Sequence, residues 1–327
     1  MQDREGGGCL GQLAGLLFAA VIAWFVFSRE AAVARYNEGI SLAEQGRHEE
    51  AIDRYKRSLV HNPNQADAWN NKGTSLRHLG QPDEALKCFE KALQIDPNCA
   101  IAWYNKGITL LDFGRSEEAL RCFENAIEID PRCANAWSGK GEALTALDCK
   151  HEALACYEKA LSINPNLADA WRGKGGVLES LGRSSEAYTA YTRALECYDK
   201  ALRDNPRDAV MWLNKGFVIG KTDSFSSDAL QEQLRCYEKA LEINPRMVEA
   251  WLNKGVVLSS LGRLEESLRC YEKAISYNPR YASAWYNKGI ALYDLGRYSE
   301  ARRAFEKAAG LGQPEAVDSL RRMDGGY

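Results

Sequence analysis

The sequence predicts an all-α protein, a solenoid of stacked two-helix repeats that follows one apolar N-terminal segment. Three observations lead to this prediction. A pattern of Trp, Gly, Ala, aromatic and Pro residues recurs at intervals of 34 residues over most of the 327-residue chain. Within each repeat, apolar residues are spaced three and four apart, as on one face of a helix. Near the start of the chain, residues 9–27 carry no charge.

The uncharged segment 9–27 predicts a single-pass transmembrane anchor helix, preceded by a short polar tail at 1–8. A helix of this length spans roughly 28 Å, close to the thickness of about 30 Å of a bilayer's hydrocarbon core. Trp24 lies near its end, where aromatic rings favour the membrane interface. Arg29 follows the segment and stops it.

Two other interpretations of this segment stay open, a cleaved secretory signal and a helix buried in an oligomer. Asp3 and Glu5 disfavour the signal, because export signals begin with a positively charged region. Arg29 and Arg35 follow the segment, whereas Arg4 precedes it beside the two acids. Because basic flanks tend to stay on the cytoplasmic side, we expect a membrane protein whose repeat domain is cytoplasmic.

Eight of the ten cysteines fall at equivalent places of successive repeats, as Cys88, Cys122 and Cys156 do. Stacked helices pack roughly 10 Å apart, which is beyond the reach of a disulfide. The sequence has no Cys-x-x-Cys pair and four His, so we predict no metal and no cofactor. We expect buried small apolar residues in a reducing compartment.

Each repeat predicts a pair of helices. In residues 66–99, Trp69 and Gly73 share one face of a first helix, where Trp supplies the largest buried area and Gly permits close approach. Phe89 lies on the facing stripe of a second helix, and Pro97 ends the repeat because it cannot extend a helix. One pair buries too little to fold alone, so the pairs must stack. The eight repeats span residues 32–65, 66–99, 100–133, 134–167, 168–208, 209–247, 248–281 and 282–315.

This pattern resembles the tetratricopeptide repeat (TPR), W-x₂-L-G-x₂-Y…A-x₃-F…P at 34 residues. The resemblance covers residues 32–315 and implies a right-handed superhelix of helix-turn-helix repeats whose first helices line a concave groove. One departure is systematic, since Lys replaces the Leu before Gly in seven repeats. These lysines are Lys72, Lys106, Lys140, Lys174, Lys215, Lys254 and Lys288. We expect the stems to pack and the ammonium groups to reach water; a charged ladder that serves a ligand is the alternative.

Two adjacent repeats break the pattern. Residues 168–208 contain seven extra residues, so Tyr191 and Tyr198 present the same helical face twice on a helix that projects roughly 10 Å further. Residues 209–247 carry five extra residues between their helices and have Gln233 where Ala is expected. A tolerated insertion and a specialised joint for a partner both stay open. Residues 316–327 predict a polar-faced capping helix and tail.

The TPR resemblance implies a protein or peptide partner in the groove. The sixth residue of six repeats is Asn, whose amide can both donate to and accept from a peptide backbone. By the same resemblance these residues form a peptide-binding ladder. They are Asn37, Asn71, Asn105, Asn214, Asn253 and Asn287. Gly139 and Gly173 interrupt the ladder, and Tyr36, Tyr104 and Tyr286 lie beside it. The alternative is that the asparagines are surface residues inherited by duplication.

The sequence gives no sign of catalysis. No nucleophile and base are paired, and the glycines are periodic within helices rather than gathered in a phosphate loop. The net charge of −3 comes without a basic run, so no nucleic-acid partner is expected. We predict a non-enzymatic, membrane-anchored scaffold or adaptor that binds a peptide or protein. A self-associating structural scaffold, a homo-oligomer, is the alternative.

Overall fold

The computed structural model describes residues 29–223 and 226–325, and within them every regular element is an α-helix. The all-α prediction is therefore confirmed for these residues. The predicted tail at 1–8 and anchor at 9–27 lie outside them. No described helix is both long enough and apolar enough to cross a membrane. The helices are α1 (29–44), α2 (His48–His61), α3 (Ala66–His78), α4 (Pro82–Ile95), α5 (Ala100–Asp112), α6 (Ser116–Ile129), α7 (Ala134–Ala146), α8 (Lys150–Ile163), α9 (Ala168–Ser180), α10 (Ser184–Asp204), α11 (Ala209–Thr222), α12 (Ser227–Ile243), α13 (Val248–Ser260), α14 (Leu264–Tyr277), α15 (Ala282–Asp294), α16 (Tyr298–Gly310) and α17 (Pro314–Met323).

The chain divides into two compact units, Met1–Ile163 and Asn164–Tyr327. The N-terminal unit holds the first four repeats, α1 to α8. The C-terminal unit holds the other four and α17. Within each unit, the odd-numbered helices up to α15 are the first helices of the repeats, and the even-numbered ones are the second helices.

A glycine and an aromatic ring join the two helices of every repeat. A Cβ atom on Gly73 would lie 2.7 Å from the ring of Phe89, and one on Gly255 would lie 2.5 Å from Tyr271. The glycine therefore lets the ring rest directly on the first helix, which confirms the expected close approach. The pairs are Gly39–Tyr55, Gly73–Phe89, Gly107–Phe123, Gly141–Tyr157, Gly175–Tyr191, Gly216–Tyr237, Gly255–Tyr271 and Gly289–Phe305.

The tryptophans have a role that their spacing did not indicate. The largest fully buried side chains are tyrosines and phenylalanines of the second helices, whereas the repeated tryptophans are half-buried. The indole Nε1 of Trp69 donates a hydrogen bond of 2.9 Å to the carbonyl oxygen of Pro63, which closes the preceding repeat. The same bond, at 2.8–3.1 Å, is made by Trp103, Trp137, Trp171, Trp212, Trp251 and Trp285. An amphipathic ring thus ties consecutive repeats through its polar edge.

The turn between the two helices of a repeat requires a left-handed residue. Gly80 has φ +71° in the second repeat, and glycine takes the same place in most others. In the fourth repeat the residue is Asp148, at φ +59°. Glycine adopts this conformation without a Cβ clash, which explains its recurrence here.

The longer second helix of the fifth repeat is confirmed. Helix α10 has 21 residues, whereas α8 has 14. Tyr191 and Tyr198 are both buried, so the two extra turns present the same face twice. After the last repeat, α17 packs on α16, and its Ala316 is fully buried beside Phe305.

The nine cysteines in the described residues are free thiols, and those of the second helices are buried except Cys197, which is partly exposed. Burial raises the pKa of Cys122 to about 11 and that of Cys236 to about 12. Such thiols are poor nucleophiles. The expectation of buried small apolar residues is confirmed for Cys88, Cys122, Cys156, Cys236 and Cys270.

Candidate peptide-binding surface

The candidate site is the surface formed by the second, sixth, ninth and thirteenth residues of the repeats, called here the first-helix face. In residues 66–99 these are Asp67, Asn71, Thr74 and His78. First helices of neighbouring repeats contact one another directly, α3 with α5 and α5 with α7, then α11 with α13 and α13 with α15. The face is therefore continuous over α3, α5 and α7 in the N-terminal unit and over α11, α13 and α15 in the C-terminal unit.

In the N-terminal unit, two predicted ladder residues take part in a hydrogen-bonded relay between first helices. The Nδ2 of Asn105 donates to Oδ1 of Asn70 at 2.9 Å. The Nδ2 of Asn70 donates to Oδ1 of Asn71 at 3.1 Å, and Nδ2 of Asn71 donates to the hydroxyl of Tyr36, also at 3.1 Å. Burial raises the pKa of that hydroxyl. The relay links α5, α3 and α1, while Asn37 is exposed on α1.

Asn70 was not predicted as a site residue, although it is the buried centre of this relay. The fifth residue of the repeat varies along the chain, with Tyr36, Tyr104 and Leu213 at equivalent places. Because Asn70 is unique at its place, periodicity could not indicate its role. The only available signal was a polar residue next to the buried stripe.

The tyrosines beside the ladder are half-buried and pack on the aromatic rings of the second helices. Tyr104 lies 6.0 Å from Phe123 and Tyr286 lies 5.7 Å from Phe305, between ring centroids. Tilted rings at these distances attract each other. These tyrosines therefore contribute to the core of their repeats as well as to the first-helix face.

Gly139 interrupts the ladder for a steric reason. A Cβ atom there would lie 2.5 Å from the ring of Phe123. Helix α7 therefore approaches the preceding repeat too closely to carry an Asn at this place. Gly139 is buried accordingly.

In the C-terminal unit, Asn214 pairs with an acidic residue instead of another amide. Its Nδ2 donates to Oδ1 of Asp169 at 2.9 Å. The hydroxyl of Tyr198 donates to the same oxygen at 2.5 Å, and Arg172 lies 3.4 Å away. Burial raises the pKa of Tyr198, and the charge of Asp169 adds to that rise. The seven extra residues of α10 thus bring a tyrosine to the first-helix face.

The other two asparagines of this unit have different surroundings. Asn287 donates from Nδ2 to the carbonyl oxygen of Ser283 in its own helix, at 2.8 Å. Asn253 lines a cavity of about 310 Å³ on the first-helix face. The structure therefore does not bring the six predicted asparagines into one uniform arrangement.

The cavity beside Asn253 lies where the sixth repeat departs from the pattern. Phe217 and Val256 form its apolar wall and are 41% and 40% exposed. Lys221 and Glu179 form its charged rim. The Nζ of Lys221 lies 3.0 Å from a carboxylate oxygen of Glu179. Burial favours a higher pKa for Glu179, but hydrogen bonds from Lys221 and Tyr191 outweigh it and lower the pKa.

The lysines that replace the family's Leu do not simply extend into water, as was expected. Lys106 Nζ lies 3.2 Å from Glu90, and Lys288 Nζ lies 2.8 Å from Glu272, so each ammonium pairs with the second helix of the preceding repeat. The ammonium groups also lie over the repeat tryptophans, at 5.9 Å for Lys106 and Trp103. The signal was present in the sequence, as an acid sixteen residues before the lysine.

Family models described as "Tetratricopeptide repeat" match residues 66–99, 100–133, 134–167, 236–269 and 258–316, and one described as "TPR repeat" matches 39–76. Together they cover more than half of the chain. No curated protein sequence matches it.

Many solved structures are similar to this chain. The crystal structure of the APC/C hetero-tetramer Cut9-Hcn1 is 17% identical, with a TM-score of 0.64, over 84% of this chain and 52% of that chain. A crystal structure of MamA is 25% identical, with a TM-score of 0.44, over 50% of this chain and 96% of that chain. MamA 41-end from Desulfovibrio magneticus RS-1 is 24% identical, with a TM-score of 0.46, over 52% and 96%. The Cut9-Hcn1 similarity concerns the fold alone. With repeats matched by family models in both units, the chain belongs to the tetratricopeptide repeat family.

Proposed function

We propose that this protein is a membrane-anchored interaction scaffold that binds an extended peptide segment of a partner protein on its first-helix face. The observation that carries the proposal is the mixture of exposed apolar and amide side chains on that face. Ile101 is 57% exposed in the N-terminal unit, and Phe217 and Val256 are exposed in the C-terminal unit. Exposed apolar groups rimmed by polar ones are typical of protein-binding surfaces.

The asparagines supply the polar part of the proposal. The bond from Asn105 to Asn70 engages the amide nitrogen of Asn105. Its Oδ1 oxygen can accept a hydrogen bond from a peptide N–H, because an amide oxygen has two lone pairs. Such contacts recognise a backbone, while the apolar neighbours select side chains.

Attachment to a membrane is the second part of the proposal and rests on sequence. The uncharged residues 9–27 have the length and composition of a spanning helix. With Arg29 and Arg35 after them, the repeats face the cytoplasm in this scheme. Alkaline carbonate extraction of cell membranes should leave the full chain in the pellet, whereas Leu17→Arg should release it. Recovery of the unsubstituted chain in the supernatant would contradict the anchor.

Peptide binding is tested by selecting binders from a displayed peptide library on the full chain in neutral detergent. Affinities of the selected peptides are then measured for Asn105→Ala and Asn253→Ala. We expect a loss of about fivefold or more for at least one of them, since a buried hydrogen bond contributes roughly 1 kcal/mol. Asn98→Ala, in an exposed turn, is the matched control. Failure to select any peptide, together with a defined oligomer in sedimentation, would favour the self-associating scaffold instead.

A further inference from the structure

The chain contains an internal series of lysine–carboxylate pairs that connect consecutive repeats. In five repeats the lysine before the glycine pairs with the acid sixteen residues earlier, at 2.8–3.2 Å. The lysines are only 13–23% exposed. The pairs are Lys106–Glu90, Lys140–Glu124, Lys215–Asp199, Lys254–Glu238 and Lys288–Glu272. In each pair the carboxylate therefore balances the charge of a half-buried ammonium group, which lies against an aromatic ring or a thiol.

Lys72 occupies the same place in the second repeat, but the residue sixteen positions earlier is Lys56. Within the described residues Lys72 has no carboxylate partner. Its ammonium instead lies 4.7 Å from the ring centroid of Trp69, closer than the 5.5–5.9 Å of the equivalent pairs. The junction of the first two repeats thus has two positive charges where the others have one of each sign.

Both lysines influence the titration of the Cys88 thiol. Burial raises the pKa of the Cys88 thiol, while the positive charges of Lys72 and Lys56 partly offset that rise. Cys88 and Lys72 line a common cleft.

A cleft of about 370 Å³ opens at this point, between α3 and α4. Trp69 and Lys72 form one side, and Lys87 and Lys91 lie on the other. Two acids also line it. Glu90 is already paired with Lys106, which leaves Glu84 as the acid that faces the lysines. Positive charge therefore exceeds negative charge in a partly enclosed space, where ion pairs are stronger than on an open surface.

We propose that this cleft binds a carboxylate side chain from an acidic peptide segment of a partner protein. One oxygen of the ligand pairs with Lys72 Nζ, as Glu or Asp does with the equivalent lysine in the five pairs above. The ring of Trp69 lies beneath the Lys72 ammonium and holds it in position. The site is separate from the first-helix face, so it does not depend on the peptide proposed to bind there.

The test measures fluorescence anisotropy of a labelled tetraglutamate peptide with the full chain in neutral detergent, at low ionic strength. Lys56→Glu installs the carboxylate found at the other junctions, so it should fold normally and fill the site. We expect binding about fivefold weaker than for the unsubstituted chain. Lys159→Glu changes the net charge equally at an exposed position of α8 and should leave binding within twofold.

A gain-of-function variant completes the test. Glu90→Lys recreates the arrangement of Lys56 and Lys72 at Lys106, and the number of peptides bound per chain should rise from one to two. Equal losses in Lys56→Glu and Lys159→Glu, or no second equivalent in Glu90→Lys, would overturn the proposal. So would displacement of the peptide by inorganic phosphate much more readily than by acetate of equal ionic strength, because that result indicates a phosphate site.

Discussion

Asn105 donates a hydrogen bond of 2.9 Å to Asn70, and this bond joins the first helices of two consecutive repeats. Asn70 in turn donates to Asn71, which donates to Tyr36. Each asparagine of this series donates its amide N–H to the next member. The direction matters, because removal of Asn70 leaves Oδ1 of Asn71 without this donor and leaves Nδ2 of Asn105 only its longer bond of 3.4 Å to Thr74.

We therefore expect Asn70→Ala to destabilise the N-terminal unit by about 1–3 kcal/mol, the cost of unsatisfied polar groups in a buried site. Urea denaturation followed by circular dichroism measures the effect. Asn98→Ala removes the same side chain from an exposed turn and should change stability by less than about 0.5 kcal/mol. Similar midpoints for the two variants would show that the relay adds no stability.

The same substitution should have opposite effects at two glycines of first helices. A Cβ on Gly139 meets the Phe123 ring at 2.5 Å, so Gly139→Ala should destabilise by about 1–3 kcal/mol. At Gly176 the nearest atom is the Tyr191 hydroxyl at 3.8 Å, so Gly176→Ala should stabilise by roughly 0.5–1 kcal/mol through helix propensity. Thermal unfolding of both variants measures the two signs. If Gly139→Ala is also stabilising, the steric reason for the break in the ladder is wrong.

Periodic sequence features predicted the periodic part of the fold. Gly73 and Phe89 recur in register, so their contact could be inferred from spacing and helix geometry. The bond of Trp69 to Pro63 could not, because its acceptor is a backbone carbonyl, which every residue has. Asn70 was missed because no other repeat has Asn at the fifth position, so no recurring pattern marked it. That the asparagine ladder binds a peptide stays a prediction. In the structure, the side-chain amides of Asn71, Asn105, Asn214 and Asn287 donate hydrogen bonds to other residues of the chain.

Alkaline pH should unfold the repeats because the tyrosines on the second helices are buried. Burial raises the pKa of Tyr55 and that of Tyr271 to about 12, from an ordinary value of 10.0. Above about pH 10 the unfolded chain loses these protons while the folded chain keeps them. Stability is therefore complete below that pH and falls as pH rises toward about 12, by roughly 1.4 kcal/mol per pH unit for each such tyrosine.

Urea midpoints at pH 8 and pH 11 measure this dependence. Tyr271→Phe removes the titrating hydroxyl but keeps the ring on Gly255, so the loss between the two pH values should shrink. Tyr188→Phe, at an exposed place on α10, is the control and should leave the loss unchanged. An identical pH dependence in all three proteins would assign the alkaline unfolding to other groups.

The turn of the fourth repeat offers a stabilising substitution. Asp148 has φ +59°, in the region where the other repeats have glycine, and its Cβ disfavours that conformation. Asp148→Gly should therefore stabilise the N-terminal unit by about 0.5–1 kcal/mol, less the small contribution of the exposed ion pair between Asp148 and Lys150. The reverse change, Gly80→Asp at φ +71°, should destabilise by a similar amount. Lys150→Ala separates the ion pair from the backbone effect, since it removes the pair and leaves φ unchanged. If Asp148→Gly lowers the urea midpoint more than Lys150→Ala does, the aspartate makes a favourable contact that outweighs its backbone strain.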